Sequence, residues 1–463
     1  MGRLNKADTA HPVRVALATK PLGILGSLQA GRRNVLELIP EIATHAPILS
    51  GTTGKRWHMV MDPEALHRIL RERVEDYPKS LVTKLILGPA IGNSLFVAEG
   101  ADWMWQRRTA APVFTHRNIA ALAPVMTAAA DRAVARFDAA AGQKIDAFDA
   151  MVTATFEVIS DVTFSGQGFD RAGVHRAIED YIGQTAKLSL LDILGAPAWV
   201  PRPGRMFSGA ALRQMKTMAD QAIDQRRQRP SSGVPDLLDL LLAGEDPKSG
   251  RKMNLDELRD NLLTFIVAGH ETTALTLAWS LYLCAFDPKV QAAARAEAQA
   301  VLGHRPALAA DLPALPLIRR IVDEALRLYP PAAFLSRTAQ KPDRLVGREV
   351  RAGDTVILPI YALHRHHGQW KDPDVFDPDR FLSAPARFAY LPFGDGPRIC
   401  IGASFALQEA VILLASLLAR FRFSLVPEKP PKPVMILTLR PEGGVWLQVE
   451  RAADCPSETV RQS

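Results

Sequence analysis

A single cysteine near the C-terminal end lies in a setting that could do chemistry. Residues 393–402 read FGDGPRICIG, so Cys400 follows a glycine-rich turn that contains Arg398, and a long apolar stretch comes next. A free cysteine in a cytosolic enzyme is usually a small buried apolar residue. At the start of a helix, however, a cysteine could be a thiolate, because the unpaired backbone N–H groups there favour negative charge and lower the thiol pKa. This segment alone leaves both interpretations open.

The middle of the chain carries a long helix pattern. Asn254 followed by Glu257 predicts a helix N-terminus in which the two residues cap each other. From Leu255 no proline occurs until Pro288. A helix of that length would run about 45–50 Å and cross a whole domain. Such an interior helix should be apolar on most of its faces.

One stretch of that helix is polar where core positions are expected. AGHETT, residues 268–273, lies between two apolar runs. A threonine within a helix can bond the carbonyl four residues earlier and bend the helix open, which leaves room for a small ligand and water. An acid beside an alcohol, here Glu271 and Thr272, would then form a proton route. The alternative is a tolerated polar patch on an exposed turn, which is the simpler interpretation of His270 alone.

Charged and aromatic residues elsewhere have spacings that bring them together. Glu324 and Arg327 lie three apart on a helix that two prolines end, and Arg380 could complete a buried cluster with them. Without Arg380 the pair would be an ordinary surface ion pair. Trp103 and Arg107, at i and i+4, can present an indole N–H and a guanidinium to one anion. The same spacing also occurs in amphipathic helices with no ligand.

The elements that must position these residues are mainly helical. Helical patterns cover residues 31–45, 63–71 and most of 101–330, a strand pair lies around 48–61, and turn-rich strands follow at 343–360 and 434–450. Because the small β region draws on distant segments, we predict one domain over residues 1–463. We expect loose tails at residues 1–20 and 452–463.

Composition restricts the function classes. The chain has 463 residues, 48% hydrophobic and 23% charged, as in a soluble globular protein. A net charge of +7 without a dense basic run argues against nucleic-acid binding and suggests a basic patch for an acidic partner. Three cysteines do not make a disulfide framework, and no CxxC pair suggests zinc. Neither a signal-peptide core nor a membrane-spanning run is evident, so we expect a cytoplasmic protein without a membrane anchor.

Taken together and in this order, these segments resemble the cytochrome P450 superfamily, the haem-thiolate monooxygenases. FGDGPRICIG fits the family's haem-loop pattern at every fixed position, and AGHETT fits its oxygen-activation helix. EALR fits its Glu-x-x-Arg motif, DPDRF its Pro-x-Arg-Phe segment and WMWQR its Trp-x-x-x-Arg motif. The resemblance spans nearly the whole chain. It implies a mainly α fold with a minor β region, in which haem lies between the long central helix and the cysteine loop.

The resemblance also implies a role for each of these residues. Cys400 would be the axial ligand of the haem iron, with Gly396 and Gly402 allowing the tight turn, and Thr272 and Glu271 would be catalytic. Haem would further contact Phe393, Gly394, Arg398, Gly402, Trp103, Arg107, Arg365 and Ala268, the arginines gripping its propionates. Glu324, Arg327 and Arg380 would form a structural cluster. The substrate pocket would contain Phe265, Val267, Ala332, Ala333, Leu335 and Leu437, with segments 79–100 and 180–210 as mobile walls and lid.

The implied reaction inserts one atom of O2 into a lipophilic substrate such as a fatty acid, an alkane or a terpenoid. The implied cofactor is haem b, iron protoporphyrin IX, with electrons ultimately from NAD(P)H. Because the chain ends soon after its last hairpin, we expect no fused reductase and a separate ferredoxin, flavodoxin or flavin reductase as donor. Arg107, Arg108 and Arg117 would favour an acidic donor. Two other classes stay open, a haem-binding sensor or carrier and a non-catalytic helical protein.

Overall fold

The computed structural model describes residues 11–452 apart from residues 21, 54, 165–172, 174–208, 230–233 and 436. The predicted lid at 180–210 therefore falls almost wholly outside the described residues. The outer parts of both predicted tails, residues 1–10 and 453–463, lie outside them as well.

Helices form most of the described chain, as expected. They are α1 (Ile24–Arg33), α2 (Pro63–His67), α3 (Leu81–Ile91), α4 (Gly100–Ala110), α5 (His116–Ala139), α6 (Ala147–Phe164), α7 (Gly209–Gln228), α8 (Leu237–Ala243), α9 (Leu255–Phe286), α10 (Pro288–Leu302), α11 (Pro316–Leu328), α12 (Ile360–Leu363) and α13 (Ala403–Arg420). Short 3-10 turns occur at Val35–Leu38, Glu41–Thr44, Ala111–Phe114, Ala309–Ala314, Pro378–Leu382 and Gly396–Arg398, and a π turn at Arg68–Glu72.

The β region is small and joins distant parts of the chain. Its strands are β1 (Ile48–Thr53), β2 (Lys55–Val60), β3 (Lys144–Asp146), β4 (Leu335–Thr338), β5 (Asp343–Leu345), β6 (Arg348–Val350), β7 (Thr355–Leu358), β8 (Phe421–Leu425), β9 (Lys432–Met435), β10 (Leu439–Glu442) and β11 (Trp446–Arg451). One sheet has the order β1-β2-β7-β4 and another β3-β11-β8, while β9-β10 and β5-β6 form hairpins. The first sheet pairs N-terminal with C-terminal strands, which confirms the expected mixing of the two ends.

The long helix α9 crosses the core and begins where the sequence predicts. The Asn254 side chain accepts from the Glu257 N–H, and the Glu257 carboxylate accepts from the Asn254 N–H. The helix continues for 32 residues and ends at Phe286, one residue before Asp287 caps the next helix, which opens with Pro288. Its largest contacts are with α6, and it also contacts α13 and α11.

The helix that follows the cysteine loop, α13, is the second core helix. Within the described residues it alone is long and apolar enough to cross a bilayer by length and composition. However, 67% of that stretch is buried inside the protein. Burial of this extent is typical of a core helix, which satisfies the same criteria as a membrane span.

The inner part of the predicted N-terminal tail is docked, contrary to expectation. The Val13 N–H donates to the Tyr282 hydroxyl at 3.0 Å, and the Val15 N–H donates to the Tyr361 hydroxyl at 3.0 Å. The Tyr329 hydroxyl donates to the Val13 carbonyl at 2.6 Å. Three buried tyrosines thus fix this segment. They bind its backbone atoms, so the side chains of residues 13–15 gave no signal from which this docking could be predicted.

Candidate active site

A cavity of about 1240 Å³ contains the residues that the sequence singled out for chemistry. The cysteine loop contributes Phe393, Gly394, Arg398 and Cys400 to its lining, and Gly402 lines it as well. Helix α9 contributes Ala268 and Thr272, and α4 contributes Trp103 and Arg107. The remaining apolar lining includes Phe265, Ala332, Phe334, Leu335, Met435 and Leu437.

The loop that carries Cys400 is held by its own backbone. The Cys400 N–H donates to the Phe393 carbonyl at 2.9 Å, which closes the glycine-rich turn. Gly396 has a φ of +73°, and a methyl group there would overlap the backbone carbonyl of Leu70. Gly396 therefore has the conformation expected of a glycine in a tight turn, and the neighbouring Leu70 backbone also excludes a side chain there. Gly402 differs, because its φ is −90° and it serves as the N-cap of α13 next to the cavity.

The Cys400 thiol faces the cavity rather than bulk solvent. Burial among protein atoms raises its pKa, and this outweighs the lowering by the Gly402 backbone N–H and by the charge of Arg107. The backbone at the helix start therefore lowers the thiol pKa as expected, but burial has the larger effect. A positive metal centre would supply the missing stabilisation, because a coordinating thiol is deprotonated outright.

The long helix presents small residues and hydroxyl groups to the cavity. Ala268 is exposed although most of α9 is buried, since it faces the cavity. The Thr272 hydroxyl donates to the Ala268 carbonyl at 2.8 Å, as predicted, while the backbone stays α-helical. Thr273 and Thr276 also line the cavity and donate to carbonyls one turn earlier. This wall therefore carries threonine hydroxyl groups whose protons are already hydrogen-bonded to carbonyls of the same helix.

Cationic side chains gather at another part of the cavity lining. Lys79, Arg337 and Arg398 line the cavity and interact electrostatically. Burial and the charges of Arg398 and Arg337 lower the pKa of Lys79 to about 7. Burial and Arg398 likewise lower the pKa of Arg337 to about 10. Among the described residues, Glu99 is the carboxylate that pairs with Arg398.

These residues fit a haem. The Nε and Nη1 atoms of Arg398 are buried and have no hydrogen-bond partner within the described part of the chain. The Arg398 guanidinium lies over the Trp103 ring, 4.6 Å from its centroid. The Glu99 carboxylate on Arg398 shows that this position accepts an anionic oxygen. A cavity with one thiol, an apolar lining and buried cations suits a flat metal-binding group with carboxylate arms.

The expected acid, Glu271, does not line the cavity. It is 4% exposed, and its Oε1 accepts from the Thr438 hydroxyl and from Arg440 Nε, the latter at 2.6 Å. Arg440 and Thr438 belong to the C-terminal hairpin, so the partners of Glu271 come from a distant segment. His270 is buried rather than exposed, and its Nδ1 lies 2.9 Å from the Ile266 carbonyl.

The predicted structural cluster forms as expected. Glu324 and Arg327 are fully buried and joined by two hydrogen bonds, of 2.6 and 2.7 Å. Arg380 Nε donates to the same carboxylate at 3.0 Å. Arg327 also donates to the carbonyls of His364 and Pro373. These contacts tie α11 to the segment that precedes the cysteine loop.

Besides Glu271, three predicted residues are not brought to the cavity. The Arg365 guanidinium lies 3.3 Å from Asp374 and donates to the Leu328 carbonyl at 2.7 Å, so it cannot grip a propionate from there. Ala333 is fully buried in the core. Val267 packs against the core and is absent from the cavity lining, because it lies one position from Ala268 and so points about 100° away around the helix.

Sequence reasoning missed Arg337, Lys79 and Phe334. Arg337 occupies the buried position of the short strand β4, and a charge at an inward strand position is a signal that could have identified it. Phe334, next to the predicted Leu335, carries no such signal. Lys79 is a single lysine after a proline, and nothing in its neighbours predicts a place in the cavity lining.

Comparisons with known proteins agree with this arrangement. The sequence model of the family described as Cytochrome P450 matches residues 26–448. The chain is 31% identical over 437 residues to cyclooctatin synthase of Streptomyces melanosporofaciens, covering 92% of this chain and 94% of that protein. It is likewise 31% identical over 437 residues to cyclooctat-9-en-7-ol 5-monooxygenase of the same organism, covering 91% and 92%. The crystal structure of the cytochrome P450DA heme domain matches with a TM-score of 0.78 at 29% identity, covering 88% of this chain and 90% of that chain.

Proposed function

This chain belongs to the cytochrome P450 family and is a monooxygenase, and from that premise we propose that it hydroxylates an apolar, terpenoid-like substrate at a haem held by Cys400. The observation that carries the proposal is the joint lining of one cavity by a thiol, by buried cations and by the Thr272 hydroxyl. The overall conversion takes a substrate C–H group, O2, two electrons and two protons to an alcohol and one water.

The residues that would hold the cofactor divide into two groups. The Cys400 sulfur would ligate the iron, with Phe393 and Gly394 beside it. The two propionates would be bound by Arg398, Arg337, Lys79, Arg107 and Trp103. When bound, haem supplies the metal centre at which O2 is reduced and one oxygen atom is transferred.

Thr272 and Glu271 would manage protons on the other wall. The Thr272 oxygen lies at the cavity surface, and its hydroxyl is held by the Ala268 carbonyl at 2.8 Å. Because that bond uses only the hydroxyl proton, the Thr272 oxygen can still accept a hydrogen bond while the backbone fixes its position. Glu271, the next residue towards the N-terminus, would supply protons from the buried side.

The apolar lining favours a substrate with few polar groups. Phe265, Phe334, Leu335 and Leu437 line the cavity, and the threonine hydroxyls are already bonded to carbonyls. Binding would then come mostly from buried area, with little polar anchoring. Two relatives are named cyclooctatin synthase and cyclooctat-9-en-7-ol 5-monooxygenase. A compact terpenoid alcohol of that kind is the substrate class we propose.

A long-chain carboxylic acid is the second candidate, and two lysines favour it. Lys20 and Lys55 are exposed, and both line the same cavity as the apolar residues. A carboxylate bound there would leave its hydrocarbon chain in the apolar interior. Equilibrium titration with cyclooctat-9-en-7-ol, hexadecanoic acid and hexadecane separates the candidates by the low-to-high spin shift of the haem. A response to hexadecanoic acid that Lys55→Gln abolishes would favour the acid over the terpenoid.

We propose a separate electron donor, with a narrower docking surface than the sequence suggested. Arg108 makes two hydrogen bonds, of 2.6 and 2.8 Å, to Asp246, so its charge is already paired. Arg107 lines the cavity instead of the outer surface. Arg117 is exposed, so of these three arginines it is the one that we propose contacts an acidic donor. An acidic donor predicts turnover that falls as ionic strength rises.

The carbon monoxide spectrum of the reduced protein tests the proposal. A thiolate ligand gives a strongly red-shifted Soret band, and Cys400→Ser should lose that band together with hydroxylation. A colourless preparation would indicate the non-catalytic helical protein. Haem binding without product, when a surrogate reductase is supplied, would indicate a sensor or carrier. An unchanged spectrum and unchanged hydroxylation in Cys400→Ser would refute the proposed ligand.

A further inference from the structure

The C-terminal hairpin β9–β10 holds the buried carboxylate of Glu271. Its strands pair antiparallel, with Arg440 opposite Val434. Thr438 and Arg440 both donate to Glu271 Oε1. Glu271 is 4% exposed, whereas the Arg440 side chain is 27% exposed, so the ion pair joins a buried acid to the edge of the protein.

The electrostatic state of Glu271 follows from these contacts. Burial alone would raise its pKa. The hydrogen bond and charge of Arg440, helped by the Thr438 hydroxyl and the charge of His270, instead hold the pKa of Glu271 below its usual value. In the arrangement seen, Glu271 is a carboxylate and has no proton to give. Proton delivery therefore requires the contact with Arg440 to loosen.

The same hairpin also lines the cavity. Met435 and Leu437 contribute to the cavity lining, and Leu437 is directly bonded to Thr438. The next residue, Leu439, is anchored, because its N–H donates to the Pro331 carbonyl at 3.0 Å and its carbonyl accepts from Trp279 at 3.3 Å. A ligand that displaces Leu437 must move Thr438 as well, since Leu439 is fixed on the far side.

We propose that Arg440, assisted by Thr438, is a positioning residue that ties proton supply through Glu271 to occupancy of the cavity at Leu437. This inference rests on the proposed monooxygenase function. With the cavity empty, the hairpin keeps Glu271 ionised and turned towards Arg440. A ligand against Leu437 weakens that contact, so that the carboxylate takes a proton from solvent, passes it towards Thr272 and returns to Arg440 as a carboxylate.

The first test needs no turnover. Infrared difference spectra of the haem-loaded ferric protein can report the Glu271 carboxylate, with Glu271→Gln identifying its band. Imidazole binds the iron site alone, whereas the chain of 1-dodecylimidazole extends along the apolar lining. We expect 1-dodecylimidazole, and not imidazole, to shift the Glu271 band in the wild type. In Arg440→Gln the band should be shifted before any ligand is added and should no longer respond.

A matched control lies on the same hairpin. Lys432 pairs with Glu442 at 2.8 Å across the same two strands, and both side chains are more than half exposed. Lys432→Gln should therefore keep the wild-type response, and Arg440→Lys should restore it. If Arg440→Gln fails to retain haem, the isosteric Thr438→Val can be measured in the same way, because it removes the other hydrogen bond to Glu271.

A second readout separates positioning from loose packing. Product formed per electron should fall about tenfold in Arg440→Gln and recover to within about threefold in Arg440→Lys. The affinity for 1-dodecylimidazole should rise in Arg440→Gln, because the ligand no longer has to weaken the contact with Glu271. A band that ignores 1-dodecylimidazole in the wild type, or equal responses in wild type and Arg440→Gln, would overturn the inference. So would a loss of probe affinity with no change in product per electron. Failure of the proposed function itself would show separately, as a missing thiolate spectrum in the wild type.

Discussion

Replacing Lys79 with methionine should stabilise the haem-free protein at neutral pH and weaken its hold on haem. The Lys79 ammonium lies in the cavity lining, where its Nζ donates to the Phe96 carbonyl. Burial and the like charges of Arg398 and Arg337 lower its pKa from 10.5 to about 7. The folded, haem-free protein therefore disfavours a proton that the unfolded chain binds freely.

The sign of the effect follows from proton binding. Between pH 7 and 10.5 the unfolded chain binds more protons at Lys79 than the folded chain, so the free energy of unfolding rises with pH over this window. One pKa unit corresponds to about 1.4 kcal/mol. The penalty from Lys79 is then about 4 kcal/mol at pH 7 and about 1 kcal/mol at pH 10. Between pH 7 and pH 10 the free energy of unfolding should therefore rise by about 3 kcal/mol more in the wild type than in Lys79→Met.

Urea unfolding followed by circular dichroism at pH 7 and pH 10 measures this difference on the haem-free protein. Lys84→Met is the matched control, because Lys84 is partly exposed and lies 3.9 Å from Glu99. In the haem-loaded protein the propionates should restore the charge of Lys79, so Lys79→Met should release haem faster to an acceptor such as apomyoglobin. Parallel pH curves for wild type and Lys79→Met, within about 1 kcal/mol, would refute the reasoning.

Three further changes test other parts of the structure. Glu324→Gln leaves Arg327 buried without its counter-charge and should lower the free energy of unfolding, measured by urea titration, by about 3–5 kcal/mol. Arg319→Gln is the control, because it removes an exposed ion pair on the same helix, and it should lower the free energy of unfolding by less than about 1 kcal/mol. Thr272→Ala should keep consuming reductant while releasing hydrogen peroxide, and unchanged coupling of NAD(P)H oxidation to product would contradict its assigned role. Gly396→Ala combines a positive φ with overlap onto a neighbouring carbonyl, so haem content after purification should fall, and a full complement of haem would contradict the need for glycine.

Features that depend on neighbouring residues could be predicted from the sequence. The helix Leu255–Phe286 begins at a reciprocal cap and ends before a proline, and both signals lie within a few residues of the boundary. The pairing of Glu324 with Arg327 follows from their spacing on one helix. The turn at Cys400 likewise follows from its glycines. Each of these predictions concerns groups whose relative position the local backbone already sets.

Features that depend on the tertiary arrangement could not be predicted in this way. The partners of Glu271 lie 167 and 169 residues further along the chain, and no local pattern joins them. Arg365 was expected at the cavity because the family resemblance implied it, but Asp374 and a carbonyl hold it elsewhere. Arg337 was missed for the converse reason, since its burial depends on how β4 packs.

The cation cluster suggests why cofactor and fold depend on each other in this protein. Lys79, Arg337 and Arg398 come from separate segments, and within the described residues Glu99 is the carboxylate that pairs with them. One carboxylate cannot balance three neighbouring cations, so bringing these segments together costs electrostatic free energy until a dianion arrives. A ligand that binds only the folded state stabilises it in proportion to the logarithm of its concentration relative to its dissociation constant. The haem propionates would therefore offset the repulsion among these three cations where it occurs. Packing of the apolar cavity walls would then need to contribute less to the stability of the segments that carry the cations.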